Sequence, residues 1–145
     1  MTQATTAPAR LEKKLAWSLL ALRLGIFIVM FIWALDKFVN PAHTAAVFEG
    51  FYGIGGLSAT FAAILGGLQV ALCLIFVAGL WKFFSYGLIF ILHGVSTLSS
   101  FPQYLDAFNN MLFFAAWPMW AACFALFYLR EYDTCTLSAL MNKSD

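Results

Sequence analysis

Charged side chains are scarce in this chain: Asp, Glu, Lys and Arg make up 10% of its 145 residues, whereas soluble domains carry about a quarter. The formal net charge of +1 offers no electrostatic footprint for nucleic acid, so no nucleic-acid partner is predicted. Residues 1–14 and 130–145 are polar but too short to bury a core of their own. The composition therefore predicts a single domain outside the class of soluble globular proteins.

The three cysteines of the sequence include no C-x-x-C pair. Their separation argues against a thiol–disulfide relay, which needs an attacking and a resolving cysteine close together. Cys73 and Cys123 fall inside hydrophobic stretches, where a free cysteine behaves as a small apolar residue. The sequence also lacks an H-x-x-E-H motif, a Cys/His cluster and a C-x-x-C-H motif, so it predicts no metal site and no covalently attached haem.

Long hydrophobic stretches are what the chain has in abundance. Hydrophobic residues make up 63% of it, and they concentrate in four stretches, residues 15–35, 60–80, 83–99 and 110–129, whose single charged residue is Arg23. A helix needs about 20 apolar residues to span about 30 Å of hydrocarbon, and an open sheet would leave backbone groups unpaired in lipid. The sequence therefore predicts an all-α fold, an integral membrane four-helix bundle.

The basic residues that flank these stretches predict the orientation of the bundle, because Lys and Arg near the ends of spans favour the cytoplasmic side. Six fall on one side of the predicted membrane: Arg10, Lys13, Lys14, Lys82, Arg130 and Lys143. Outside the stretches, only Lys37 falls on the other side. Both termini are therefore expected in the cytoplasm, with the first stretch as an uncleaved anchor. The Arg130–Asp133 run is expected to be a solvated helix end.

The first outer loop, residues 36–59, carries signals for a short helix. Asn40 is a favourable N-cap and Pro41 suits the first helical position. Four glycines between residues 50 and 56 then interrupt the helical pattern. We expect a short interfacial helix on the outer surface, and a compact aromatic connector at residues 101–108 in the second outer loop.

Polar side chains inside the stretches fall at nearly one depth when counted at about 1.5 Å per residue. Arg23, Gln69, His93 and Trp117 come from four different stretches and form the candidate ligand-binding pocket near the membrane midplane. A charge at the bilayer centre costs about 3 kcal/mol on insertion scales, so Arg23 needs partners or water. Alternatively, Arg23 snorkels to the cytoplasmic interface, Gln69 makes an interhelical hydrogen bond and His93 is a satisfied core histidine.

Several short motifs follow one another along the chain: the Leu22–Gly25 run, Lys37 followed by Asn40 and Pro41, a polar residue early in the second stretch, His93 in the third, and Asn110 opening the fourth. Their order and spacing resemble the DoxX family of small bacterial four-helix membrane proteins, over about residues 20–137. Gln69 stands where that family often has a glutamate, so the resemblance implies no proton-carrying role for this position.

The resemblance implies an association with membrane redox chemistry, either quinone-coupled sulfur oxidation or thiol and oxidative-stress homeostasis. On that basis we expect a multi-pass protein of the bacterial cytoplasmic (inner) membrane that binds a membrane quinone or anchors a redox complex. Arg23, Gln69 and His93 would donate to the quinone head group beside an aromatic wall of Trp117 or Phe114. The secondary candidates are Lys37, Asn110 and Phe114.

Nothing in the sequence carries electrons by itself, so any enzymatic role is confined to a non-catalytic or quinone-site subunit of an oxidoreductase. The expected partners are the lipid bilayer and either another membrane redox subunit or a second copy of the chain. Two alternatives stay open. One is a structural or assembly partner with no ligand of its own, and the other is a small-solute transporter lined by polar residues such as Gln69, Ser96 and Thr97.

Overall fold

The computed structural model describes residues 6–141, which are predominantly helical and contain no strand. The α-helices are α1 (Thr6–Val39), α2 (Pro41–Tyr52), α3 (Ala59–Ala78), α4 (Lys82–Ser99), α5 (Phe101–Leu105), α6 (Ala116–Tyr128) and α7 (Leu137–Met141). Short 3₁₀ helices lie at Ala107–Asn109, Met111–Ala115 and Arg130–Tyr132. The prediction of an all-α fold is confirmed.

Three segments among the described residues are long and apolar enough to cross a membrane: Pro8–Val39, Ala59–Ala78 and Met111–Tyr128. They correspond to the first, second and fourth predicted stretches. The third predicted stretch lies in α4, which has 18 residues but carries the polar side chains of Ser85, Tyr86 and His93. The chain therefore has helices typical of a membrane protein, and three of its segments meet the composition of a span.

The first helix is much longer than the apolar stretch that predicts it. α1 has 34 residues and begins at Thr6. At about 1.5 Å per residue it is about 50 Å long, well beyond the hydrocarbon thickness of about 30 Å. The described part of the N-terminal tail, residues 6–14, is thus the first part of α1. One face of the helix is buried through residues at helical spacing, namely Ala16, Leu19, Arg23, Ile26 and Met30.

The predicted helix in the first outer loop is confirmed as α2. Asn40 Oδ1 accepts a hydrogen bond from the backbone N–H of His43 at 3.2 Å, and Pro41 is the first helical residue. Gly53 ends the helix in the left-handed region with φ of 68°, a conformation that glycine adopts at little cost. α2 packs against α1 and α3.

The helices share one hydrophobic core. α1 packs mainly against α3, and α4 packs mainly against α6. The buried side chains include Leu19, Phe76 and Ile89 from three different helices. Cys73 and Cys123 belong to the same core as free, buried thiols. Both cysteines are therefore packed as small apolar residues, as the sequence predicts.

The fourth predicted stretch is not one regular helix. Met111–Ala115 is a 3₁₀ helix, and α6 begins at Ala116. Pro118 lies in the first turn of α6, where its missing N–H is not needed. Its ring would clash with the carbonyl of Phe114 in a continuous α-helix, which explains why the α-helical geometry starts only here.

Candidate functional site

The residues after α6 fold back over one end of the helical core. We call residues 130–141 the strap, which contains the 3₁₀ helix Arg130–Tyr132, the irregular residues around Asp133, and α7. Asp133 is 0% exposed. The prediction that the Arg130–Asp133 run is a solvated helix end is therefore wrong for Asp133, because its carboxylate is buried as the counter-ion of Arg23.

A three-residue polar cluster joins the strap to the core. Arg23 Nη1 donates to Asp133 Oδ2 at 2.6 Å, and the Tyr86 hydroxyl donates to the same oxygen at 2.6 Å. Arg23 Nη1 also lies 3.1 Å from the Tyr86 hydroxyl oxygen, to which it donates. All three side chains are buried. α1, α4 and the strap thus meet at one carboxylate oxygen.

Backbone carbonyls complete the attachment of the strap. Arg23 Nη2 donates to the carbonyl of Cys135. Lys82 Nζ donates to the carbonyl of Asp133 at 3.1 Å, and Ser138 Oγ donates to the carbonyl of Gly79 at 2.7 Å. The strap is therefore bound to α1, to the start of α4 and to the residue that follows α3.

The ion pair leaves two polar atoms without partners. Asp133 Oδ1 and Arg23 Nε are buried and accept or donate no hydrogen bond within the described part of the chain. Arginine–carboxylate pairs are often bidentate, with both oxygens engaged. In this pair the hydrogen bond goes to a single carboxylate oxygen, so the second oxygen and Nε are left unsatisfied.

Arg23 lies near the end of the helical core and not at its middle. A Cβ on Gly79 would be only 2.9 Å from Arg23 Nη1, and Gly79 is the residue that ends α3. Gln69 is ten residues earlier in α3, or roughly 15 Å further from that end. The position of the guanidinium matches the alternative interpretation, in which Arg23 snorkels toward one end of the bundle.

Gln69 and His93 have partners of their own. Gln69 Nε2 donates to the carbonyl of Met30 at 3.2 Å, which links α3 to α1. His93 Nε2 lies 3.2 Å from the carbonyl oxygen of Ala116 and must carry the proton for that hydrogen bond. These contacts match the alternative interpretation of an interhelical hydrogen bond and a satisfied core histidine. The structure does not bring Arg23, Gln69 and His93 together.

Trp117 and Phe114 belong to an aromatic cluster, which we define as Tyr104, Phe114, Trp117 and Trp120. Ring centroids are 5.2 Å apart for Tyr104 and Phe114, 5.6 Å for Tyr104 and Trp117, and 5.9 Å for Trp117 and Trp120. Trp120 Nε1 is buried and has no acceptor among the described residues. Since Ala116 precedes Trp117, His93 hydrogen-bonds the helix backbone next to this cluster.

The secondary candidates Lys37 and Asn110 make local contacts. Lys37 Nζ donates to the carbonyl of Trp33 at 3.0 Å, and Asn110 Nδ2 donates to the carbonyl of Asp106 at 3.0 Å. In the described part of the chain, neither side chain hydrogen-bonds Arg23, Gln69 or His93. Among residues 6–141, no group of three or more His, Cys, Asp or Glu side chains could hold a metal ion.

A cleft of about 370 Å³ separates the first part of α1 from the strap. Lys13 and Trp17 line it on the helix side, and Glu131, Thr134 and Cys135 line it on the strap side. The strap is therefore packed against the core on one flank and faces open space on the other.

Asp133 and Tyr86, the two side chains that hydrogen-bond Arg23, are not among the candidates predicted from the sequence. The sequence nonetheless contains a signal that points to Asp133. An arginine inside an apolar stretch requires a counter-ion, and Glu131 and Asp133 are the first two acidic residues after the fourth stretch, on the predicted Arg23 side. The fold resolves the choice between them, because Asp133 is buried and Glu131 is exposed.

No family model, curated protein or solved structure matches this chain. The DoxX resemblance therefore depends on the short sequence motifs alone.

Proposed function

We propose that this protein is a DoxX-like subunit of the bacterial inner membrane that anchors or helps to assemble a redox complex. In this proposal four spans cross the membrane, with α4 as the third, both termini cytoplasmic, and α2 at the outer interface. The three segments with the composition of spans support the membrane location. The basic residues at the helix ends support the orientation, and the motif resemblance supports the redox association.

The observation that carries the anchoring role is the docked strap. Arg23 uses both terminal nitrogens on Asp133, Tyr86 and the Cys135 carbonyl, so these donors serve the protein itself. The ion pair holds residues 130–141 in one position against the core. This gives the end that carries the strap a defined polar surface, including exposed Glu131 and Thr134, which a protein partner could recognise.

Copurification from gently solubilised membranes tests this role. The wild-type protein is expected to bring down one membrane or membrane-associated redox protein in a fixed ratio. Asp133→Asn should reduce the yield of that partner, because it weakens the attachment of the strap. Gln69→Leu should retain it, because Gln69 contacts only the Met30 carbonyl. A partner that is equally abundant with Asp133→Asn, or no partner at all, would contradict the proposal.

A second candidate function is quinone binding at the aromatic cluster. Trp120 Nε1 is a buried donor without an acceptor beside the rings of Trp117 and Tyr104. A quinone head group presents carbonyl acceptors and a flat ring that stacks on aromatic side chains. Trp120 Nε1 lies against Gly94 of α4, where a Cβ would be 2.6 Å away. In this proposal α4 and α6 separate at Gly94 so that Trp120 can donate to the head group, while Arg23 and Gln69 have structural roles.

Quinone content per purified protein tests the second candidate. Trp120→Phe keeps an aromatic ring but removes the N–H donor, so it should lower the quinone content. Trp17→Phe is the matched control, because Trp17 is exposed and lies at the opposite end of the molecule, in the cleft beside the strap. Wild-type protein that contains no quinone, or equal quinone in the two variants, would rule this candidate out.

A further inference from the structure

We propose that Arg23, Tyr86 and Lys82 form a binding site for a small carboxylate or oxyanion, in which Asp133 is the resident intramolecular ligand. The strap and an external anion would then compete for one site. This inference goes beyond the anchoring role and does not depend on quinone binding.

The donors of this site belong to the core and not to the strap. Arg23 lies on the buried face of α1, and Tyr86 lies on the buried face of α4. The Tyr86 ring packs edge-on against Phe76, with ring centroids 5.1 Å apart, so the core fixes the position of its hydroxyl. Lys82 is the first residue of α4 and adds a second cation at the same end. Arg23 and the Tyr86 hydroxyl thus donate to the Asp133 carboxylate, and Lys82 donates to the backbone carbonyl of the same residue.

The resident carboxylate does not use the site fully. Asp133 Oδ2 accepts from both Arg23 and Tyr86, whereas Oδ1 has no partner among residues 6–141. Arg23 Nε is likewise buried and unpartnered there. Asp133 is constrained by the backbone of the strap, whereas a free anion can rotate until two of its oxygens meet the guanidinium. A free carboxylate, phosphate or sulfate therefore matches these donors better than Asp133 does.

The strap has both a limited attachment and space beside it. Outside the polar cluster, the strap has hydrogen bonds that involve the carbonyls of Cys135, Asp133 and Gly79. At its start, Arg130 also donates to the Phe127 carbonyl and lies over the rings of Phe83 and Phe127. The cleft between the strap and α1 leaves one of its flanks uncovered. Displacement of residues 133–141 thus breaks these hydrogen bonds and exposes the buried Thr136 side chain, while Arg130 can stay in place.

The chain contains its own reporter of strap displacement. Cys135 lies on the strap and is partly exposed in the cleft, whereas Cys73 and Cys123 are buried in the core. Thiol labelling at Cys135 therefore follows release of the strap. A Cys135→Ser variant measures the background from the two core cysteines.

The first experiment measures maleimide labelling of Cys135 in the purified full-length chain in chloride. Asp133→Asn should accelerate labelling about 10-fold or more, because it removes the charged acceptor that holds the strap. Glu131→Gln is the matched control: it neutralises an exposed carboxylate two residues away, and should leave the rate unchanged. Equal rates in the two variants would overturn the proposal.

The second experiment measures thermal unfolding of the same variants in acetate, phosphate, sulfate and chloride at one ionic strength. At least one of the three oxyanions should raise the unfolding midpoint of Asp133→Asn above its value in chloride, with a saturable concentration dependence. Glu131→Gln should show no such difference. No stabilisation of Asp133→Asn beyond the control by any of the three anions would overturn the proposal.

The wild-type chain provides the decisive comparison if Asp133→Asn does not fold. Its Cys135 labelling rate should rise with the concentration of the oxyanions and not with that of chloride, because a bound anion excludes the Asp133 carboxylate. A labelling rate that stays flat in all three would overturn the proposal.

Discussion

Arg23 is a charged side chain in an apolar helix, and its environment determines the free-energy cost of burying its charge. Insertion scales assign about 3 kcal/mol to an arginine at the centre of a span. Asp133 provides a counter-charge at 2.6 Å, but burial of both groups carries a desolvation penalty that can exceed their attraction. The pair is therefore not a simple source of stability. Removal of one partner should therefore lower the free energy of unfolding much more than replacement of both partners by apolar residues.

A double-mutant cycle tests this reasoning. Arg23→Met and Asp133→Leu are each expected to lower the free energy of unfolding by about 3–5 kcal/mol, since each leaves an uncompensated buried charge. The double variant should lose much less than the sum, because no buried charge remains. Denaturant unfolding in detergent micelles measures all four proteins. Additive losses would show that the two side chains do not interact.

Gln69 gives a contrasting case at the same scale. Its Nε2 donates to the Met30 carbonyl, and both groups lie between α1 and α3. Gln69→Leu should therefore cost about 1 kcal/mol or less in the free energy of unfolding, the usual net value of one neutral hydrogen bond. The same detergent unfolding assay measures it. A loss comparable to that of Asp133→Leu would point to a role that the Met30 contact does not explain.

The turn between α3 and α4 is the element that admits both Arg23 and the strap. Gly79 has φ of 68° and Trp81 has φ of 45°, so two residues of a short turn adopt the left-handed region. Glycine adopts this conformation readily, whereas it is strained for tryptophan. Thr136 and Arg23 both approach Gly79 closely enough that a Cβ there would clash with them. The turn is therefore shaped by its contact with the strap.

Gly79→Ala should displace the strap and lower stability. Its Cβ would lie 2.9 Å from Arg23 Nη1 and would also meet the Thr136 side chain, at a backbone conformation unfavourable for alanine. Gly67→Ala is the matched control, because a Cβ there meets nothing within 4 Å and alanine favours the helix. Maleimide labelling of Cys135 and thermal unfolding measure both effects. Similar behaviour of the two variants would contradict the packing at Gly79.

At the element scale, the local signals predicted most of the helices. Asn40 and Pro41 predicted the start of α2, and the apolar stretches predicted both ends of α3 and α4 to within two residues. Composition could not predict that α1 begins at Thr6, since a polar helical extension has no apolar pattern. The fold of the strap depends on long-range contacts, such as those of Asp133 with Arg23 and of Ser138 with the Gly79 carbonyl, which no local pattern encodes.

At the scale of the whole molecule, the strap, Lys82 and the first turns of α1 lie at one end. The contacts from Arg23 to Asp133 and from Lys82 to the Asp133 carbonyl bring them together. The proposed topology, which rests on the positive-inside pattern, puts this end in the cytoplasm. Asn109 and the loop around it follow α5, at the end of α4 opposite Lys82. The proposed four-span topology therefore puts Cys135 and Asn109 on opposite sides of the membrane.

Labelling with a membrane-impermeant maleimide tests that topology. Asn109→Cys, in a chain whose three native cysteines are replaced, should be labelled from outside intact cells, because residue 109 is exposed. A chain that retains only Cys135 should be labelled only after the membrane is permeabilised. The proposed topology has one span between residues 109 and 135. Labelling of both sites from the same side would require an even number of spans between them and would refute this topology.

The ion pair between Arg23 and Asp133 holds the strap over the core, and a density map of the gently solubilised protein at side-chain resolution is its most direct test. We expect the Asp133 carboxylate within hydrogen-bond distance of both Arg23 and Tyr86, with the strap packed over Gly79. A map in which Asp133 lies in solvent while Arg23 turns toward Gln69 and His93 would contradict this account and restore the midplane pocket.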